Sequence, residues 1–181
     1  MKTLRELIIE RSFKKTDIPT FPLSSGKMSC FYFDMKKVTY FPRGQVLIGA
    51  AVYDKIMELG LKPMAIGGET MGADPVAVAT SFTSGLRENP IEAFSIRKEP
   101  KKHGMKLQIE GNVKEGDAVV ILDDVVTTGA STIRAIKIAR EHGLNILAAI
   151  VLVDRCEENG IQNIAATGVP VYSIFKVTDF V

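Results

Sequence analysis

The chain has 181 residues, 46% of them hydrophobic and 24% charged, with a net charge of +2. That length suits one domain with a sizeable core, and the near-balanced charge gives no reason to expect a nucleic acid or an anionic membrane surface as partner. Two cysteines, Cys30 and Cys156, match no zinc or redox spacing and read as reduced thiols of a cytoplasmic protein.

The N-terminal stretch MKTLRELIIERSFKK places Glu6 and Glu10 among its apolar positions. Residues 2–11 therefore read as a short amphipathic helix, not a signal or transit peptide. Residues 12–29 read as irregular, with Pro19, Pro22 and the small cluster Ser24-Ser25-Gly26, and residues 31–34 as a strand. Pro42 and Arg43 open a helix whose apolar positions Val46, Leu47, Ala50, Ile56, Met57 and Leu59 fall at helical spacing, with Gly60 as its stop. Residues 64–67, after Pro63, read as a short buried strand. Asp74-Pro75 predicts an N-cap followed by proline at the first helical position, in a helix running to about Ser84.

Residues 92–96 alternate like a strand. Residues 97–106, RKEPKKHGMK, break every pattern. The stretch 118–143 reads as strand, turn and helix. Residues 146–153, the longest apolar run, have strand length and are far too few to span a bilayer. That strand ends in Asp154-Arg155, and residues 171–177 form the last one. Strands alternating with helices predict an α/β fold with a mainly parallel sheet flanked by helices. With no repeat, low-complexity tract or linker, residues 1–181 read as a single domain.

The 118–143 stretch, AVVILDDVVTTGASTIRAIKIAREHG, carries the chemistry. Val119, Val120, Ile121 and Leu122 form a continuous apolar run, as in a strand buried on both faces of a parallel sheet. Ligands of such sheets sit beyond the carboxyl ends of the strands, where Asp123 and Asp124 would emerge. Gly129 lets the turn approach an anion closely, and the following helix N-terminus offers unpaired N–H groups to a phosphate. Thr127, Thr128 and Ser131 add hydroxyl donors. The two acids would repel a phosphate; they suit sugar hydroxyls or a hard cation such as Mg²⁺ brought by the substrate. The plainer alternative is a capped strand-to-helix turn with its acids in water.

Arg97, Lys98, Lys101, Lys102 and Lys106 surround a single acid, Glu99, with His103 among them. One reading is a solvated surface loop. The other is a cationic lid that stabilises charge on a departing pyrophosphate, with His103 as proton or hydrogen-bond donor. Arg155 stands where a crevice residue belongs and has the geometry to pair with a carboxylate; a surface ion pair with Asp154, Glu157 or Glu158 is the alternative. The sequence contains no P-loop lysine motif, no G-x-G-x-x-G, no H-E-x-x-H and no G-x-S-x-G.

Together these segments resemble the class I phosphoribosyltransferases, and among them the orotate phosphoribosyltransferases. VVILDDVVTTGAS resembles the class signature for 5-phosphoribosyl-1-pyrophosphate (PRPP). RKEPKKHG resembles the catalytic loop of the orotate enzymes, matching at Arg97, Lys98, Lys101, His103 and Gly104. FPLSSGKMSCFYFD resembles their base-packing N-terminal segment, and VDRCEENG their segment with an orotate-binding arginine. The similarity runs from about Phe21 to Gly160, in the family's order.

The resemblance implies a small N-terminal hood over the sheet, Mg²⁺ dependence, and a homodimer in which the 97–106 loop is shared across subunits. It implies a PRPP site formed by Arg97, Lys98, Lys101, His103, Asp123, Asp124, Val125, Val126, Thr127, Thr128, Gly129, Ala130 and Ser131. Lys101, His103 and Asp124 would be catalytic, and Mg²⁺ would be carried mainly by PRPP. Orotate would meet Thr127, Arg155, Tyr32 and Phe33. The better-known branch of the family has lysines where this chain has Ser24 and near Met71, which bears on PRPP affinity more than on reaction type. Lys27 stands near the first of these in a different register. Two further readings share the pocket: transfer to another base, and a non-catalytic PRPP-sensing regulator.

Overall fold

The computed structural model describes residues 2–23, 26–99 and 108–181. Helix α1 (Leu4–Arg11) opens with a capping box: Thr3 Oγ1 accepts from Glu6 N, and the Glu6 carboxylate accepts from Thr3 N. Three short strands follow, β1 (Phe13–Lys15), β2 (Phe21–Pro22) and β3 (Met28–Ser29), then β4 (Phe31–Phe33). β1 pairs antiparallel with β4, and β2 with β3. The segment that composition marks as irregular is therefore a hood of two small antiparallel pairs. β4 is the strand expected at residues 31–34, whereas β1, β2 and β3 carry too little alternation to announce themselves and are defined by their partners.

After α2 (Lys36–Thr39) and α3 (Pro42–Glu58) come β5 (Ala65–Glu69), α4 (Ala73–Leu86), β6 (Glu92–Ile96) and β7 (Ile109–Glu110). The chain continues through β8 (Ala118–Val126), α5 (Ala130–Glu141), β9 (Asn145–Asp154), α6 (Gly160–Ala165) and β10 (Val171–Lys176). The main sheet has the order β10-β9-β8-β5-β6-β7. All its pairings are parallel except β6 with the short β7. This is the α/β architecture that the alternation of elements predicts.

The pleat sorts the core. Val120, Leu122, Ile150 and Leu152 pack with Ile48, Val52 and Ile56 of α3 and Val76 of α4. Val119, Ile121, Ala149 and Val151 face the other way, against Ala135, Ile136 and Ala139 of α5 and Ile164 of α6. Each buried isoleucine or leucine contributes about 1.5–3 kcal/mol by leaving water, so both helix layers are fixed to the strand ends where ligands of such sheets bind.

Two boundaries that bear on the site differ from expectation. β8 runs on to Val126, so both acids lie within the strand and point to opposite faces. Helix α4 begins at Ala73, which puts Asp74 and Pro75 inside its first turn, with Gly72 at the cap. Proline is tolerated anywhere its missing N–H has no helical partner, so it does not mark the first position uniquely. Among the described residues no helix is long and apolar enough to cross a membrane.

Candidate active site

The site lies at the carboxyl ends of β5, β8 and β9. Asp123 faces α5 and is buried. Its Oδ2 accepts from Ser131 Oγ at 2.6 Å and Thr132 Oγ1 at 2.9 Å, while Oδ1 accepts from Asp124 N at 3.0 Å. A carboxylate offers about four lone-pair sites, so one direction remains. Burial, and after it the Asp124 carboxylate, push Asp123 up to about 6. Asp124 faces the opposite layer, and its Oδ1 accepts from Val125 N at 2.8 Å. Burial raises it too, while the Val125 N–H and the charge of Lys36 at the start of α2 pull it back. A buried acid beside a half-buried one favours a ligand that brings hydroxyl donors or positive charge.

The turn after β8 has the geometry expected of an anion loop. Gly129 has φ +80°, and an added Cβ there would fall 2.8 Å from the Gly160 carbonyl oxygen. Gly129, the N-cap residue of α5, has no side chain to cap the first amide groups, an arrangement that leaves helix N–H groups to a phosphate. Ala130 N donates to Thr128 Oγ1 at 3.3 Å. The Ser131 hydroxyl, which the sequence offers to a phosphate, points instead at Asp123. Asn163 of α6 braces the turn from below, donating to Thr128 O at 2.9 Å and Glu158 O at 3.1 Å. No pattern in the sequence singles out Asn163.

Across the acids lies the turn of residues 70–72. An added Cβ at Gly72 would sit 2.7 Å from Asp124 Oδ1 and 3.0 Å from Asp123 Oδ1, so only glycine lets this backbone meet both acids. Thr70, Met71, Arg97, Lys98 and Glu99 line a cleft of about 450 Å³. Arg97 also reaches Glu110 Oε1 at 3.5 Å. Lys101 and His103 lie outside the described residues, as does Ser24.

The third wall is the segment after β9. Arg155 is buried, its N–H donating to Val126 O at 3.1 Å and its guanidinium Nη2 to Phe31 O at 2.6 Å. Its Nε lies 2.9 Å from Glu157 Oε2 without the alignment of a hydrogen bond. Ser29 Oγ donates to Glu157 Oε1 at 2.5 Å, and Lys27 pairs with Glu158 at 3.0 Å. Cys156, Glu158 and Asn159 all have φ between +53° and +56°, uncommon for residues with a Cβ. Tyr32 is 40% exposed and stacks on Phe21, 5.4 Å between centroids. Phe33 is buried against Phe13 and Phe180, so of the two aromatics Tyr32 is the one at the surface. Cys156 N donates to Asp154 Oδ1 at 2.8 Å, and burial followed by the Asp154 charge raises its thiol pKa.

No family model matches the chain. The orotate phosphoribosyltransferase of Aquifex aeolicus (strain VF5) is 49% identical over 176 residues, covering 97% of this chain and 94% of that one. The chain belongs to the orotate phosphoribosyltransferases. The crystal structure of the Mycobacterium tuberculosis H37Rv orotate phosphoribosyltransferase in complex with Fe(III) dicitrate matches with a TM-score of 0.83 and 32% identity, covering 98% of this chain and 96% of that one. The same organism's enzyme in complex with PRPP matches at 0.79 and 29%, with coverage of 98% and 96%. For an orotate phosphoribosyltransferase, the position near the expected second lysine is an exposed methionine, Met71, on the rim of the cleft.

Proposed function

We propose that the chain transfers the phosphoribosyl group of PRPP to N1 of orotate, breaking the C1′–O bond to pyrophosphate and forming C1′–N1 of orotidine 5′-monophosphate. The observation that carries this is the acid pair of β8 set between an anion loop on one side and the glycine-lined turn of residues 70–72 on the other. The loop of residues 127–131 takes the 5′-phosphate, with Val125 and Val126 leading into it. Asp123 and Asp124 take ribose hydroxyls; binding donors there relieves a buried and a half-buried carboxylate.

The oxygens of the acid pair are hard donors of the kind Mg²⁺ accepts, and this cation keeps most of its waters and phosphate oxygens. Mg²⁺ would then enter as part of the PRPP substrate, with Asp123 and Asp124 the residues that could face it, and would supply charge neutralisation of the diphosphate. Arg97 and Lys98 border the cleft that would take this diphosphate, and Lys101 and His103 are assigned to the same leaving group. The protein's part is positioning and electrostatic stabilisation of negative charge on the departing pyrophosphate.

On the base side, Arg155 pairs with the orotate carboxylate, and Thr127 and Tyr32 border the ring, with Phe33 supporting the hood behind it. A homodimer completes the reading, the 97–106 segment of one subunit serving its partner's site. Val46, Val78, Phe82 and Leu86 support it: they are 58–71% exposed and line an apolar cavity of about 460 Å³ between α3 and α4. Apolar patches of this kind mark association surfaces, and α4 begins directly after the turn of residues 70–72. The compartment is the cytoplasm, in keeping with two unpaired cysteines.

The test is pyrophosphate release from PRPP and Mg²⁺ with orotate, uracil, hypoxanthine, guanine and xanthine. Turnover with orotate alone is expected. Turnover with another base would remove the Arg155 assignment, and PRPP binding without turnover would favour a PRPP-sensing regulator. Lys101→Ala should lower turnover without changing the thermal midpoint.

A further inference from the structure

One ion pair in the site has no part in the roles above. Glu69 is the last residue of β5 and is buried, its side chain only 4% exposed. Its carboxylate is gripped on both oxygens by one guanidinium: Arg134 Nε to Oε2 at 2.9 Å and Arg134 Nη2 to Oε1 at 2.8 Å. Arg134 sits on α5, one turn in from the loop of residues 127–131, and its side chain is 55% exposed. The Glu69 hydrogen bonds raise its already high pKa, and Asp123 adds to the same effect.

The location gives the pair its meaning. Glu69 leads directly into Thr70, Met71 and Gly72. That turn is fixed by Thr70 N donating to Ile96 O at 2.9 Å and by the contact of Gly72 with the acid pair. Neither ties the turn to α5 directly, since the acid pair reaches that helix only through Asp123 and its Ser131 and Thr132 partners. The Glu69–Arg134 fork does: it ties the turn beside the diphosphate cleft to the helix whose N-terminus forms the 5′-phosphate loop. A substrate with a phosphate at one end of a sugar and a diphosphate at the other needs those two anchors at a set separation. A bidentate fork holds both distance and angle, which a single point charge does not.

We propose that Glu69 and Arg134 are positioning residues that set the spacing between the 5′-phosphate loop and the diphosphate turn, and so act on PRPP and pyrophosphate rather than on orotate. This rests on the assignment of the two anion subsites made above. The pair touches no reacting atom. Its effect reaches the substrate through the Thr70–Met71–Gly72 backbone, where a displacement of an ångström is costly.

The experiment compares Glu69→Gln, Arg134→Gln, the double variant and Arg134→Lys by steady-state kinetics in both directions, with Asp124→Asn as a control for the site itself. Glu69→Gln is the cleaner variant, because it removes the buried charge and leaves a guanidinium that water can reach. The expected result is a rise of about ten-fold or more in KM for PRPP and for pyrophosphate, with KM for orotate changed by less than about two-fold. Arg134→Lys should recover only part of the loss, since it keeps the charge and loses the fork. The double variant should be no worse than the worse single one, because both remove the same contact. PRPP and pyrophosphate constants unchanged in Glu69→Gln, or an equal loss for orotate, would overturn the proposal. If Asp124→Asn also left PRPP unaffected, the assignment of the subsites would fall with it; if only Asp124→Asn weakened PRPP, the spacing role alone would fall.

Discussion

The two halves of this site are built in opposite ways. The half proposed for the ribose phosphate is almost continuous in sequence: β8, the loop and the first turn of α5 supply both acids, the turn glycine, and the hydroxyls of Ser131 and Thr132 that brace Asp123. The half proposed for the base is assembled across the chain. Ser29 reaches Glu157, 128 positions away, and the Arg155 guanidinium reaches the Phe31 carbonyl, 124 away. Charge is handled differently as well. The first half stores negative charge that burial opposes, whereas the second holds a buried cation already faced by a carboxylate. The contiguous half is thus poised toward donors and cations. On the proposed reading, the dispersed half would rearrange polar contacts when a carboxylated base arrives, and its hood is where that rearrangement would be felt.

That contrast can be broken first at the acids. Asp124→Asn should cut kcat/KM for PRPP by about 100-fold, the scale of a lost charge-assisted hydrogen bond in a dry site, while leaving orotate affinity near its starting value. A product-release assay with each substrate varied in turn reads this directly; equal losses for both substrates would erase the division into halves.

Arg155→Ala should raise KM for orotate by about 30-fold or more and leave PRPP within about two-fold. It should also lower stability by about 3 kcal/mol, because Glu157 loses its buried cation. Arg155→Ala with unchanged orotate affinity would show that the arginine serves only to pin the hood. Chemical denaturation separates the two effects.

The pH dependence sharpens the contrast. Asp123 has an unfolded value near 3.8 and a folded value of about 6. Its contribution to stability is fully present below 3.8 and is lost as pH rises through about 6, because the folded state then carries a buried charge. Asp123→Asn should therefore gain stability relative to the native chain between pH 4 and pH 7. PRPP affinity should move the other way, weakening as pH falls through about 6. Thermal midpoints and PRPP titrations across that range check both slopes, and parallel slopes would contradict the assignment.

The smallest effect is expected at Asn163. Asn163→Ala removes two hydrogen bonds from beneath the phosphate loop and should cost about 1 kcal/mol of stability, with a two- to five-fold rise in KM for PRPP. Thermal unfolding with and without PRPP measures it.

The same contrast explains what the sequence made legible. The apolar run before Asp123, the small-residue turn with Gly129 and the helical spacing after it are local signals, and the structure has strand, loop and helix in that order. Which oxygen Ser131 serves is not a local property, because it depends on β8 extending far enough to turn Asp123 toward α5. Glu69 and Arg134 are 65 positions apart and show no pattern that would join them. The six-residue α6, which carries Asn163, is too short for periodicity to reveal. β2 and β3 exist because they pair with each other, and two residues of alternation announce nothing. Distant polar pairing and elements too short for periodicity, rather than hydrophobic patterning, built the parts that the sequence does not show.

Cys156 has a consequence for chemical probes of this enzyme. It is exposed and follows Arg155, the residue proposed to bind the base, which would make it an attractive anchor for an electrophilic inhibitor. Yet burial and the Asp154 carboxylate both favour the protonated thiol, and the backbone N–H of Cys156 is committed to that same carboxylate. An alkylating warhead would meet a neutral thiol beside a negative charge, in a turn of positive φ that resists reshaping. Reversible ligands that present a carboxylate to Arg155 have the better claim on this side of the pocket.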